Sequence, residues 1–125
     1  MDPLVVSSAR LACSQGSAPA SLSVSAAGRR SLDGQPLATV MDSAAFTNIP
    51  AFGLCRSRAN PEVVEASETE QGALMPRPCR PVPLGPWAPG CPSRQQDGAP
   101  LLTLSSTCAC AWAGVISVLE PGRTS

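Results

Sequence analysis

Six cysteines, Cys13, Cys55, Cys79, Cys91, Cys108 and Cys110, stand in a chain of 125 residues that contains no histidine. Those two facts decide most of the available chemistry. Without histidine there is no Ser-His-Asp or Cys-His nucleophile, no imidazole proton relay and no histidine metal ligand. A reactive thiolate needs a neighbouring cation or helix N-terminus, and the chain has no lysine and no predicted helix start beside a cysteine. Three roles remain open. Four thiolates can close a tetrahedral zinc site with Zn–S distances of about 2.3 Å. An even count in a small domain also suits disulfides. Buried thiols can simply pack as small hydrophobes. The spacing does not choose among them: there is no C-x-x-C pair, and Cys108-Ala109-Cys110 is tighter than zinc motifs usually allow.

Other catalytic constellations are thin. The carboxylates Glu62, Glu65, Glu68 and Glu70 crowd one short segment and read as a solvated helix face, and no glycine-rich phosphate loop follows a strand. Trp87 and Trp112 read as packing residues, and Phe46, Ile49 and Phe52 as core. The protein is expected not to be an enzyme.

The elements that must position the cysteines are short. Ten glycines and 14 prolines exceed their usual combined share of about 12%. The stretch Asn48–Gly90 concentrates the prolines around Cys55 and Cys79. Because proline fixes φ and lacks an N–H, the stretch is neither long helix nor central sheet. Strands are expected at Val5–Cys13, Leu22–Ser25, Leu37–Met41, Leu101–Leu104 and Val115–Leu119, with Asp33-Gly34 as a hairpin turn. One helix is expected from Asn60 to about Gln71. Asn60 is a good N-cap, Pro61 suits the first turn, Glu62 and Glu65 suit the positive end of the dipole, and Gly72 stops it. No internal repeat is apparent. The fold class is therefore mainly β: a compact single domain, residues 1–125, of short strands and Pro/Gly-rich turns with one short helix and no appended effector domain.

Nine basic residues, all arginine, balance nine acidic ones, so nothing provides the basic face that nucleic-acid binding requires. Charged residues make up 14%, against a usual ~25%. A surface so poor in charge suggests that a partner covers part of it. The N-terminus lacks a positive region, having Asp2 there, and Arg10 interrupts its apolar segment, so no signal peptide is expected. The longest apolar run, Cys108–Leu119, falls short of the ~20 residues of a membrane helix.

The succession N-I-P-x-F-G-x-C (Asn48–Cys55), N-P-x-V (Asn60–Val63), P-x-P-C-x-P (Pro76–Pro81), P-W-x-P-G (Pro86–Gly90) and C-x-W-x-G (Cys110–Gly114) resembles the DUF4280 family of PAAR-like proteins. Those are small conical tips on the spikes of bacterial contractile injection machines, chiefly type VI secretion systems. The resemblance implies a structural protein that caps and sharpens a trimeric VgrG-type spike. It also allows non-covalent carriage of effector or adaptor proteins. It implies assembly in the bacterial cytoplasm and delivery outward by the machine. Cys13, Cys55, Cys79 and Cys110 match the family's recurrent cysteines. PAAR relatives hold a metal near the tip, usually with histidines, so here those four cysteines would have to bind the zinc alone. The partner surface is expected on the strand edges, including outward positions of Val115–Leu119 such as Val118. From the residues alone, the other reading is a small disulfide- or zinc-stabilised interaction module unconnected with injection.

Overall fold

Prolines and glycines interrupt the chain every few residues, and the elements between them are correspondingly brief. The computed structural model describes residues 3–25, 29–32, 34–96 and 98–122. In chain order the strands are β1 (Arg10–Cys13), β2 (Ala20–Ser21), β3 (Ser31–Leu32), β4 (Gln35–Pro36), β5 (Leu54–Cys55), β6 (Arg77–Pro78), β7 (Gln95–Gln96), β8 (Ala99–Pro100), β9 (Thr107–Cys110) and β10 (Gly114–Glu120). The helix α1 spans Pro61–Thr69, between β5 and β6. Strands β2-β1-β10-β9 form an antiparallel sheet, and β3-β4, β5-β6 and β7-β8 form two-stranded antiparallel pairs. The architecture is mainly β with one short helix, as the sequence implies.

Strand β10 shows the period-2 alternation of a half-buried strand. Ile116 and Val118 point into the core, while Val115 and Leu119 face out. Val118 is therefore not an outward position. It pairs with Leu11 of β1 and is 8% exposed. Val118→Asp should unfold the protein because the charge would be buried without a partner. Val115→Asp should leave the circular dichroism spectrum intact, and the reverse pattern would contradict this register.

Helix α1 forms where expected. The Asn60 side chain accepts from the Glu62 N–H at 3.0 Å, and Pro61 opens the first turn. It ends at Thr69, two residues before the predicted stop. There Gln71 and Gly72 take positive φ, and the Gly72 N–H closes onto the Ser67 carbonyl at 2.8 Å. Val63 and Ser67 are its buried positions, so it lies on the body by one edge. Ile49, Phe52 and Trp87 are core residues, at 0%, 0% and 1% exposure, but Phe46 is 63% exposed. Phe46 has φ +62, in a turn where its N–H bonds the Ile49 carbonyl, and that conformation carries the ring out to solvent.

Of the predicted strands, Leu22–Ser25, Leu37–Met41 and Leu101–Leu104 are not strands, and only the Arg10–Cys13 part of Val5–Cys13 is one. Three of these segments take part in a different construction. Pro3-Leu4-Val5-Val6, Pro36-Leu37-Ala38-Thr39 and Pro100-Leu101-Leu102-Thr103 close on one another as a ring. The Val5 N–H bonds the Leu102 carbonyl (3.0 Å), the Leu102 N–H the Ala38 carbonyl (2.9 Å), and the Ala38 N–H the Val5 carbonyl (3.0 Å). An outer set repeats the order: Ser7 N–H to Pro36 (2.9 Å), Val40 N–H to Pro100 (3.0 Å) and Leu104 N–H to Pro3 (3.0 Å). The bridges follow the same cycle, Leu4 with Thr103, Leu37 with Val6 and Leu101 with Thr39. A tight turn follows each segment, closed by Ala9 onto Val6, Asp42 onto Thr39 and Ser106 onto Thr103. The chain thus contains a threefold internal repeat, P-L-x-[VT] with a turn three residues on. All three segments share only these few residues; the second and third are also preceded by R-x-x-D-G-x, at Arg30–Gln35 and Arg94–Ala99, and the three stand at very uneven spacing. Sequence reading missed it for that reason.

The ring divides two apolar layers. Val5, Ala38 and Leu102, each 0% exposed, join the main core. On the other side Val6, Leu37 and Leu101 form a smaller cluster, with Leu4, Leu32 and Cys91 packed against it. The middle segment is further tied down at Asp42. Its carboxylate takes both guanidinium nitrogens of Arg29 (2.6 and 2.7 Å) and the Thr39 N–H (2.7 Å), and its carbonyl takes the Trp87 indole N–H (2.9 Å).

Candidate functional site: four convergent cysteines

Cys13 and Cys110 approach each other across β10. Cys13 ends β1 opposite Ile116, while Cys110 ends β9 opposite Gly114. A Cβ on Gly114 would lie 2.8 Å from the Cys13 sulfur and 3.6 Å from the Cys110 Cβ. Gly114 must therefore be bare for the Cys13 thiol to lie over the strand. The chain then turns back at Gly16, whose N–H bonds the Cys13 carbonyl at 3.0 Å, and Gly16 bridges to Cys55. This step also needs glycine, because a Cβ there would lie 2.5 Å from the Phe52 Cβ. Cys55 lies in β5 opposite Arg77 of β6, and Cys79 follows β6 with its N–H on the Gly53 carbonyl at 2.8 Å. The motifs N-I-P-x-F-G-x-C and P-x-P-C-x-P thus supply the two strands of one small antiparallel pair, joined through α1. Their prolines limit its length and fix where each thiol emerges.

The electrostatics place the four thiols in one neighbourhood. Burial pushes the Cys13 thiol above the ordinary value, with further upward influence from Cys110 and Cys55. Burial likewise pushes up Cys79, which feels Cys13, Cys55 and Cys110. Cys108 is raised by burial and feels only Cys110 among the cysteines. Cys91 lies elsewhere, and its thiol is lowered, first by the Ser93 backbone and then by the Ser93 side chain. The structure therefore brings together Cys13, Cys55, Cys79 and Cys110 and leaves Cys91 and Cys108 outside the group. All six are free thiols; Cys55, Cys79 and Cys110 are buried and Cys13 is half-buried. Raised pKa values keep Cys13 and Cys79 protonated at neutral pH, which suits neither nucleophilic attack nor rapid oxidation.

As donors, four thiols suit a soft divalent ion such as zinc. As placed, they are not drawn in: among the described residues no group of three or more His, Cys, Asp or Glu side chains could hold a metal ion. Binding would require the sulfurs to close up and shed their protons. Two surface grooves accompany the site without touching it. One, of about 510 Å³, lies between α1 and β6, where Arg80 pairs with Glu62 at 3.1 Å. The other, of about 910 Å³, lies at the ring and is lined by Pro3, Leu4, Leu32, Pro89, Cys91 and Arg94 among others. Among the described residues no helix is long and apolar enough to cross a membrane.

The chain belongs to the DUF4280 family, a domain of unknown function, whose model matches residues 5–123. That span takes in all three ring segments from Val5 onward and all six cysteines. No curated protein sequence and no solved structure matches the chain.

Proposed function

We propose that the protein is a PAAR-like tip, which caps the trimeric spike of a contractile injection system of the type VI secretion kind. The observation that carries this reading is the closed hydrogen-bonded ring of Val5, Ala38 and Leu102 with its outer set of three bonds. A single chain can meet a threefold end only if it offers three similar corners, and this chain builds them from three distant segments. A trimeric β-helix ends in unpaired strand edges that favour aggregation, and a tip covers them. Its work is mechanical, so it needs stiffness rather than catalysis. Prolines, the Arg29–Asp42 pair and the cysteine group supply that stiffness. Effectors would ride on the tip non-covalently.

Co-expression with a trimeric spike protein should give a complex of one chain per three spike chains. Such a complex should bury at least ~1,000 Å². It should survive about 0.5 M salt, since charge steers little of the contact. Another ratio, or no complex with any spike protein encoded beside the gene, would remove the reading.

In this role zinc would stiffen the apex, held by Cys13, Cys55, Cys79 and Cys110. Reduced protein purified without chelator should carry about one zinc per chain. Cys79→Ser should release it and lower the melting temperature. Metal-free protein with two mapped disulfides among these cysteines would rule zinc out.

A further inference from the structure

The residue after each of the four grouped cysteines is tied to the segment of another. Ser14 donates its N–H to the Val115 carbonyl (3.0 Å) and accepts the Val115 N–H on its hydroxyl (2.9 Å), in the strand that returns from Cys110. Arg56 donates its N–H to the Gln15 carbonyl and its guanidinium to the Ser14 carbonyl, both at 3.0 Å. Arg80 accepts the Trp112 indole N–H on its carbonyl at 2.9 Å. Ala111 donates its N–H to the Val82 carbonyl at 3.0 Å. One further tie leaves the Cys55 segment: the hydroxyl of Ser57, a residue 4% exposed, donates to the Trp112 carbonyl. These bonds and the β5-β6 pair close a circuit through all four segments.

Two of the ties meet on Trp112, which stands in the turn between β9 and β10, two residues after Cys110. They run to different places, one to the segment of Cys55 and one to that of Cys79. The Cys79 segment needs such an anchor. Pro76, Pro78 and Pro81 flank the cysteine and have no N–H to give, so a continued ladder cannot hold its backbone. The turn is shaped to reach it: Ala113 takes φ +62, and bare Gly114 follows against the Cys13 sulfur. We propose that Trp112 is a positioning residue of the four-thiol site. Its indole N–H and its carbonyl hold the Cys79 and Cys55 segments beside Cys110, so that one soft ion can gather all four sulfurs. This role rests on the reading of the four thiols as one metal site, and it does not depend on the spike.

Trp112→Phe tests it, because it keeps an aromatic ring against the core and removes only the indole N–H. The background is Cys91→Ser with Cys108→Ala, so that only the four grouped thiols count. Reduced protein is measured in two ways: zinc competition against a chelator, and calorimetric titration with phenylarsine oxide, which closes on two thiols at once. Trp112→Phe should weaken both ligands by about tenfold or more, the usual cost of losing a group that orients metal ligands, while circular dichroism stays native. Trp87→Phe, which loosens the protein beside Asp42 instead, should leave both affinities as they were. Should Trp112→Phe lose its native spectrum, Ser57→Ala decides in its place, with an expected loss of about threefold or more. Unchanged affinities in the deciding variant overturn the proposal. So does an equal loss in Trp87→Phe, because Trp112 would then act only through general stability. Background protein that takes no phenylarsine oxide overturns it as well, since its thiols are not held together. Phenylarsine oxide binding that Trp112→Phe weakens, without any uptake of zinc, would uphold the role of Trp112 and remove zinc.

Discussion

Arg29→Met should destabilise the protein by about 3–5 kcal/mol, because it leaves the Asp42 carboxylate buried without its counter-charge. For a domain of this size the melting temperature should fall by on the order of 10–15 °C. The Asp42 side chain is 7% exposed and makes a two-point contact with the guanidinium, so little water is available to replace it. The double variant Arg29→Met with Asp42→Asn should recover much of the loss, because it removes the stranded charge and keeps the amide near the Thr39 N–H. Thermal denaturation of the two single variants and the double variant makes the cycle. A single-variant loss below about 1 kcal/mol would show that the pair behaves as a solvated surface pair.

Trp87→Ala should cost a similar ~3–5 kcal/mol, the usual range for deleting a buried aromatic. The indole is 1% exposed, and its N–H reaches the Asp42 carbonyl. Trp87→Phe isolates that bond. It keeps most of the packing and should cost about 1–2 kcal/mol for the carbonyl left unpaired. Because Trp87 and Arg29 clamp the same few residues from two sides, Trp87→Phe and Arg29→Met should be non-additive. Chemical denaturation measures the coupling, and strict additivity would mean that the two clamps act on independent pieces of structure.

What the sequence made legible follows from how local each signal is. The helix was readable because Asn60, Pro61, Glu62 and Gly72 act through the backbone within a turn or two. Strand β10 was readable from its run of apolar residues, but which of them face inward depends on pairing with Leu11 from the far end of the chain as well as with Cys108 of the neighbouring β9. Val118 was misassigned for that reason. The ring was legible only in retrospect. Its shared signal is a proline, a leucine and a β-branched residue, and what makes these equivalent is their hydrogen bonding to one another. Cys13, Cys55, Cys79 and Cys110 were singled out by the resemblance and not by their spacing. The residues that bring the thiols together are Gly16 and Gly114, whose only signal is that a side chain would not fit. Of the hairpin signal Asp33-Gly34, Gly34 behaves as expected and Asp33 lies outside the described residues.

The ring also constrains when the protein can fold. Its three inner bonds join Val5, Ala38 and Leu102, and β1 at one end of the chain pairs with β10 at the other. Contacts of such sequence separation carry a loop-closure cost that is met only late, which places the chain among slow-folding topologies. A growing polypeptide can order α1 and its Asn60 cap early. It cannot close the ring until Leu102 has been made, nor complete the sheet until Val118 has. An aborted chain ending before Leu102 therefore lacks a corner, and one ending before Val118 lacks the sheet; either should remain open to proteolysis rather than persist as a competitor.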